Sequence, residues 1–315
     1  MKRLDGLLLL DKPKGITSHD LVDQVRRLFG MKDVGHSGTL DPMASGLMVI
    51  LLGQATKLSP FVMDGDKRYS VEVLLGRRYD TLDVTGQLLS KSDVTSEQIA
   101  KIPQAVGALQ GDFEWPVPIF SAVKIQGQKL YEHARNATRP TVEIPKKPMK
   151  FWDVTLKSDP GVTFWVDLRC SKGSFIRTWV DELGQALGCG AAMQSLVRSE
   201  SQPFSLEQAL SLSETETLWK QGLTLRNFVP MAWALPHFKK VRVQNFDQTL
   251  LLNGQISHDL RRQLIGLVDP DVSCWIQAVS TRDENLLAIL AYEAGQGFKI
   301  KRVLATKPNP NSSSP

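Results

Sequence analysis

The residues best suited to chemistry lie in the run Gly35-His36-Ser37-Gly38-Thr39-Leu40-Asp41-Pro42-Met43-Ala44-Ser45-Gly46. It sets one carboxylate, Asp41, directly before a proline and among three glycines. Proline biases the residue before it toward extended or turn geometry. Glycine lets the backbone bend sharply and approach a ligand closely. Asp41 is therefore expected on a rigid loop, not on a solvated helix face. A carboxylate held this way can act as a nucleophile or as the ion-pair partner of a developing cation. On residue types alone, an ordinary Asp-Pro turn is the commoner reading.

Other side chains bear on that chemistry. The planar fork of Arg177 can pair with a carboxylate bidentately, although most arginines are simply exposed. Tyr69 falls on the inward side of an alternating run, where a tyrosine usually packs with its hydroxyl satisfied. His36 stands alone, and lone histidines are often structural. Hydrolysis of a glycosidic bond would call for a second carboxylate near the first. Asp80 and Asp83 are present, but their Thr-Gly surroundings read as a turn or an RNA-facing segment.

Composition narrows the classes. The 315 residues suffice for a large domain and a small one, and 42% are hydrophobic, enough for a real core. No apolar run approaches the ~20 residues of a membrane span. The patch at residues 7–10 ends at Asp11 and is too short for a secretory signal core, which points to the cytoplasm. Cys170, Cys189 and Cys274 are widely spaced and odd in number, so buried free thiols are expected, with neither a disulfide framework nor a zinc site. The net charge of +5 is compatible with a polyanionic partner without requiring one.

The elements that must position these residues can be read along the chain. Residues 6–15 suggest a short buried strand and a Pro/Gly turn. A helix then starts at a capping box of Thr17 and Asp20, buries Leu21, Val22, Val25, Leu28 and Phe29, and stops at Gly30. Residues 69–75 and 164–170 alternate as strands. Residues 96–110 have a helical stripe (Ile99, Ile102, Val106, Leu109), bent or begun near Pro103. Residues 176–187 switch to helical spacing and end at Gly188. Ser205 and Gln208 suggest a second capping box, for a helix through about Leu212. Short alternating runs between 239 and 305 suggest a small β-rich module. The tail from 306 to 315, rich in Pro, Asn and Ser, is expected to be disordered. Strands and helices without strict βαβ alternation indicate an α+β fold.

Residues 35–58 as a whole, GHSGTLDPMASGLMVILLGQATKL, closely resemble the catalytic segment of the TruB family of tRNA pseudouridine synthases. Ser37 stands where threonine is more usual and keeps the hydroxyl. Further words resemble the family in its own order. They are residues 11–18, Lys67-Arg68-Tyr69, residues 80–86, and residues 120–124 with Gly127 and 130–132. Residues 170–178 and the Leu196/Arg198 pair follow. Two positions depart from the pattern: Phe175 where tyrosine is usual, and Trp115 where glutamine is usual.

The resemblance implies a pseudouridine-synthase catalytic domain over 1–236, with a mixed, mainly antiparallel sheet flanked by helices. A small β-rich, PUA-like RNA-binding domain over 237–305 follows, then the tail 306–315. It implies isomerisation of uridine 55 in the T-loop of tRNA, by base flipping, glycosidic cleavage and reattachment through C5. Asp41 is then the catalytic carboxylate, Arg177 its cationic partner and Tyr69 the ring on the target uracil. His36, Gly38, Thr39, Leu40, Phe175, Leu196, Ser121 and Lys124 are implied in substrate binding, whereas Tyr131 reads as core. No cofactor and no metal are expected, the partner is the T-arm of tRNA, and the chain is expected to be monomeric. Lys239, Lys240, Arg242, Lys299, Lys301 and Arg302 read equally as phosphate contacts or as a solvated face. The alternative to an enzyme is a tRNA-binding folding chaperone of the same fold, its catalysis weak or lost.

Overall fold

The structure, a computed structural model, describes residues 4–121, 123–125, 127–130 and 143–304. Tyr131 and the tail from 306 lie outside the described residues. Among the described residues the strands up to the middle of the chain are β1 (Gly6–Lys12), β2 (Val34–His36), β3 (Ser45–Leu52), β4 (Lys67–Leu75), β5 (Arg77–Tyr79), β6 (Leu88–Lys91), β7 (Gly111–Pro116), β8 (Lys124–Ile125) and β9 (Gln128–Lys129). Then follow β10 (Lys146–Leu156), β11 (Thr163–Cys170), β12 (Ala191–Ser201), β13 (Phe204–Ser205), β14 (Phe228–Pro230), β15 (Lys239–Val243), β16 (Cys274–Ser280), β17 (Leu286–Glu293) and β18 (Gly297–Val303). The helices are α1 (Ser18–Phe29), α2 (Ser59–Val62), α3 (Ser96–Ala108), α4 (Ile176–Ala186), α5 (Leu212–Lys220), α6 (Asn245–Leu252) and α7 (His258–Ile265).

A ten-stranded sheet has the order β14-β1-β3-β12-β4-β11-β10-β7, with β13 beside β12 and β2 beside β3. Its pairs are antiparallel except β12 with β3. A four-stranded sheet, β15-β16-β17-β18, gathers the C-terminal strands, β15 and β16 being parallel. The mixed, mainly antiparallel α+β architecture expected from the sequence is present, with a C-terminal β part.

Local chemistry sets the element ends. Thr17 and Asp20 form the reciprocal capping box of α1, and Gly30 closes the helix at φ 62°. A Thr95/Gln98 capping box starts α3 at Ser96, and the helix runs on through Pro103. The proline therefore neither begins nor ends the helix. Its missing N–H costs one ladder bond, which burial of Ile102 and Val106 on either side offsets.

The helix expected from 205 to 212 is not formed. The Ser205/Gln208 box closes only a single 3-10 turn, Leu206–Gln208. Leu210 then exchanges backbone hydrogen bonds with β1, donating to Leu9 at 3.2 Å and accepting from Asp11 at 2.9 Å. Pairing to a buried strand wins over local helix propensity. The next helix, α5, needs its own box at Ser211 and Glu214. Cys170 and Cys189 are buried free thiols as expected, but Cys274 is only half-buried.

The central strands are apolar on both sides, as strands covered on both faces must be. Leu8, Leu10, Met48, Ile50 and Leu52 pack with α1, α3 and α4 in one core. Leu7, Leu9, Leu47, Val49 and Leu51 face the opposite way. There they meet Phe238, Val279, Leu286, Ile289 and Leu304. The C-terminal strands also have a small core of their own around Val241, Leu260 and Leu264. The two sheets thus share a core through β1 and β3, and β3 leads directly out of the Asp41 loop. Ile289→Ala should lower the unfolding free energy by about 2–5 kcal/mol, measured by urea denaturation. The loss should fall in the same transition that unfolds the large sheet. A separate early transition of the C-terminal part would contradict the shared core.

Candidate active site

The Asp41 loop connects β2 to β3, an antiparallel pair in which His36 lies opposite Ile50. Backbone bonds tie it down at several points. Ser37 N–H donates to Val49 O at 3.0 Å, Gly15 N–H to Pro42 O at 2.8 Å, and Ala44 N–H to Asp41 O at 3.0 Å. The Ser18 hydroxyl, at the start of α1, donates to Leu40 O and accepts from Leu40 N–H, both at 2.9 Å. The ammonium of Lys12, fully buried, donates to Pro13 O at 2.9 Å and Ile16 O at 2.8 Å, with Pro42 O at 3.5 Å. Gly46 must be glycine. Its φ is +102°, and a Cβ there would lie 2.4 Å from Arg198 O. The close approach expected of this glycine is therefore to β12, the chain's own strand.

Arg177 is the second residue of α4, and its side chain is only 8% exposed. Nε lies 3.0 Å from Asp41 Oδ2, and Nη2 donates to Asp41 Oδ1 at 3.3 Å, a bidentate pair. Nη1 donates to Thr81 O at 3.1 Å and Nη2 also to Phe120 O at 3.0 Å. Asp41 is 34% exposed, so its carboxylate is braced from behind and open in front.

A second carboxylate stands near this pair. Asp83 Oδ2 is 3.9 Å from Arg177 Nε, and the side chain is 6% exposed. Its Oδ1 accepts from Thr81 Oγ1 at 3.0 Å, Thr85 N–H at 3.0 Å and Thr85 Oγ1 at 2.5 Å. The Thr-rich context is indeed a turn, but the turn folds the carboxylate inward rather than toward solvent. Asp80 does something different: it accepts from Gln87 N–H at 2.7 Å.

Tyr69 lies on β4 with Arg198 of β12 as its cross-strand partner. Burial pushes the Tyr69 phenol above its ordinary value, the Arg198 cation pulls it down, and the Asp41 charge adds to the upward push. The phenol is therefore neutral at pH 7 and within electrostatic reach of Asp41. Burial, aided by Arg198, lowers the His36 imidazole. Its Nδ1 is buried without a hydrogen-bond partner among the described residues.

The remaining expected substrate contacts are placed unevenly. Thr39 is exposed beside Asp41, and Gly38 is half-buried at φ +104°. Phe175 caps α4 and packs on the core with no side-chain cap bond. Leu196 and Leu40 are buried at 5% and 3% exposure and pack into the core. Ser121, next to the Phe120 carbonyl, is buried with its hydroxyl unpartnered among the described residues. Lys124 is exposed on a two-stranded hairpin, β8 with β9. Of the six basic C-terminal residues, Arg242 pairs with Glu284, and Lys299 and Lys301 with Glu293. Sequence reasoning singled out neither Lys12, Asp83 nor Arg198 as site residues, because burial of a charge by distant segments leaves no local pattern.

Comparison with known proteins supplies independent findings. Residues 26–176 match the family described as "TruB family pseudouridylate synthase (N terminal domain)". Residues 177–233 match "tRNA pseudouridylate synthase B C-terminal domain". The chain is 49% identical over 306 residues to tRNA pseudouridine synthase B of Bdellovibrio bacteriovorus, covering 96% of this chain and 97% of that one. It is 38% identical over 251 residues to the protein of that name from Alkaliphilus oremlandii, covering 80% and 82%. Its fold resembles a chain in the crystal structure of a Cbf5-Nop10-Gar1 complex, with TM-score 0.69 and 21% identity over 95% of this chain and 85% of that one.

Lys12 yields a pH prediction. Burial pulls its ammonium down to about 8, against the upward pull of Asp41. In the unfolded chain it titrates near ~10.4. Between those values the unfolded chain holds a proton that the folded chain has released, so the stability contributed by Lys12 rises with pH across that window and falls as pH drops through about 8. The difference in urea-unfolding free energy between wild type and Lys12→Met should therefore grow from about pH 7.5 to about pH 9.5. A flat difference would contradict a depressed lysine.

Proposed function

The chain belongs to the TruB family of pseudouridylate synthases, and we propose that it converts uridine 55 in the T-loop of tRNA to pseudouridine, with Asp41 as the catalytic carboxylate. The observation that carries this reading is the Asp41–Arg177 pair at 3.0 Å, buried behind and open in front. The reaction breaks C1′–N1, turns the uracil and joins C5 to C1′. A proton leaves C5 and one is gained at N1, so atoms balance without a redox cofactor. Positive charge develops at the sugar as N1 departs, and a fixed carboxylate is the group that answers it. Arg177 orients that carboxylate bidentately and leaves its outer edge for the ribose.

The target base must leave its stack to reach Asp41. In this reading the ring of Tyr69 stacks on the extruded uracil, and the loop carrying His36 and Thr39 faces the RNA. The C-terminal part from 237 is read as a PUA-like RNA-binding module.

Incubation of a T-arm stem-loop RNA with the wild type should yield pseudouridine at the position of uridine 55, read by nuclease digestion and mass spectrometry. Asp41→Asn should bind the RNA yet reduce the rate by at least about 1,000-fold, since removing a covalent or charge-stabilising group costs several kcal/mol. Binding without product from the wild type would instead support a chaperone, and free uracil a hydrolase. Phe175→Tyr should change turnover by less than about tenfold, the worth of one hydrogen bond at ~0.5–1.5 kcal/mol. A gain of several orders of magnitude would mean that the natural phenylalanine cripples the site.

A further inference from the structure

Arg198 is 1% exposed, and no carboxylate of the described residues lies within ion-pair distance of it. A buried cation normally has such a partner, because desolvation is otherwise uncompensated. Here two donors go to the main chain, and a side-chain hydrogen bond joins Arg198 to Tyr69. Nε donates to Leu47 O at 2.8 Å and Nη2 to Gly38 O at 3.3 Å, with Met48 Sδ 3.4 Å from Nη2. Gly38 precedes Asp41 and Leu47 follows it, so one guanidinium grips both sides of the loop that presents the carboxylate.

The backbone explains why a side chain is needed there. The parallel register between β12 and β3 consists of only Val197 with Ser45 and Arg198 with Gly46. That short ladder would leave the loop's entry strand unattached to β12. Arg198 extends the attachment through its side chain, and it is the cross-strand partner of Tyr69 on β4. The missing Cβ of Gly46 lets the strands close around it.

The geometry points to Arg198 as a positioning residue for the isomerisation: it holds the two flanks of the Asp41 loop against β12 and thereby fixes the place of Asp41 relative to Tyr69. This inference rests on the roles given above to Asp41 and Tyr69. Arg198 is 1% exposed and acts through Tyr69 and the backbone of the loop, not on the substrate itself. A lysine offers a single nitrogen and cannot repeat a grip that uses two edges of a planar fork. Glutamine keeps a neutral donor but loses the charge.

The test measures tritium release from tRNA labelled at uridine C5, which reports isomerisation at whichever uridine is the target. Failure of the uridine 55 assignment therefore leaves it readable, and Asp41→Asn run in parallel reports separately on the carboxylate. Arg198→Lys and Arg198→Gln, each checked by its melting curve, should lower kcat by about 100-fold, the cost of misplacing a reacting group by about 1 Å. KM and the Kd for tRNA should stay within about threefold, since no RNA-facing group is altered. In a Tyr69→Phe background the same Arg198→Lys change should cost less than about tenfold, because coupled groups lose their benefit together. An unchanged kcat in either folded variant would overturn the proposal. So would a loss of tRNA affinity matching the loss of rate, or an undiminished 100-fold loss in the Tyr69→Phe background.

Discussion

A guanidinium taken out of water must be answered by charge and by acceptors, and the need of Arg177 for them organises this molecule. Its donors reach the loops carrying Asp41, Thr81 and Phe120, segments far apart in the chain. Arg177 also sits in the first turn of α4, where the helix dipole disfavours a cation. That helix has neither an acidic residue in its own first turn nor a side-chain cap. Asp41 and Asp83 supply the missing negative charge from outside. The Asp41 carboxylate is thus held by a deficit in the helix beside it.

The site is reinforced by two further buried cations that use the main chain instead of carboxylates. Lys12 gathers carbonyls of the turn after β1 and of Pro42, and Arg198 gathers Gly38 and Leu47. Main-chain acceptors are neutral, so these cations hold the loop without a direct ion pair to Asp41 among the described residues. Hydrogen bonds of this kind, with one charged partner, are stronger than neutral ones. Donors from β12 and from the end of β1 thus add to what the loop's proline and glycines supply.

Much of this was legible in the sequence where physics is local. The Thr17 and Asp20 box, the stop at Gly30 and the alternation of β4 and β11 each depend on neighbours a few residues away. Asp41 was legible because the whole segment around it carries a family likeness, and Arg177 for the same reason. Asp83 was not, since its threonines describe a turn but not which way the turn faces. The short turn at 206–208 hid behind a correct capping box, because Leu210 has a strand partner two hundred residues earlier. The apolar run of β1 announced burial on two faces without saying what covers them.

The cover on one of those faces has a bearing on synthesis. β3 leaves the Asp41 loop with Leu47, Val49 and Leu51 turned toward Leu286, Ile289 and Leu304. A nascent chain displays these leucines and this valine from early in translation, long before their partners leave the ribosome. The strand that anchors Asp41 is therefore covered only once residues 286–304 have been made. Until those partners are made, this face of the strand is uncovered apolar surface of the kind that associates with other chains.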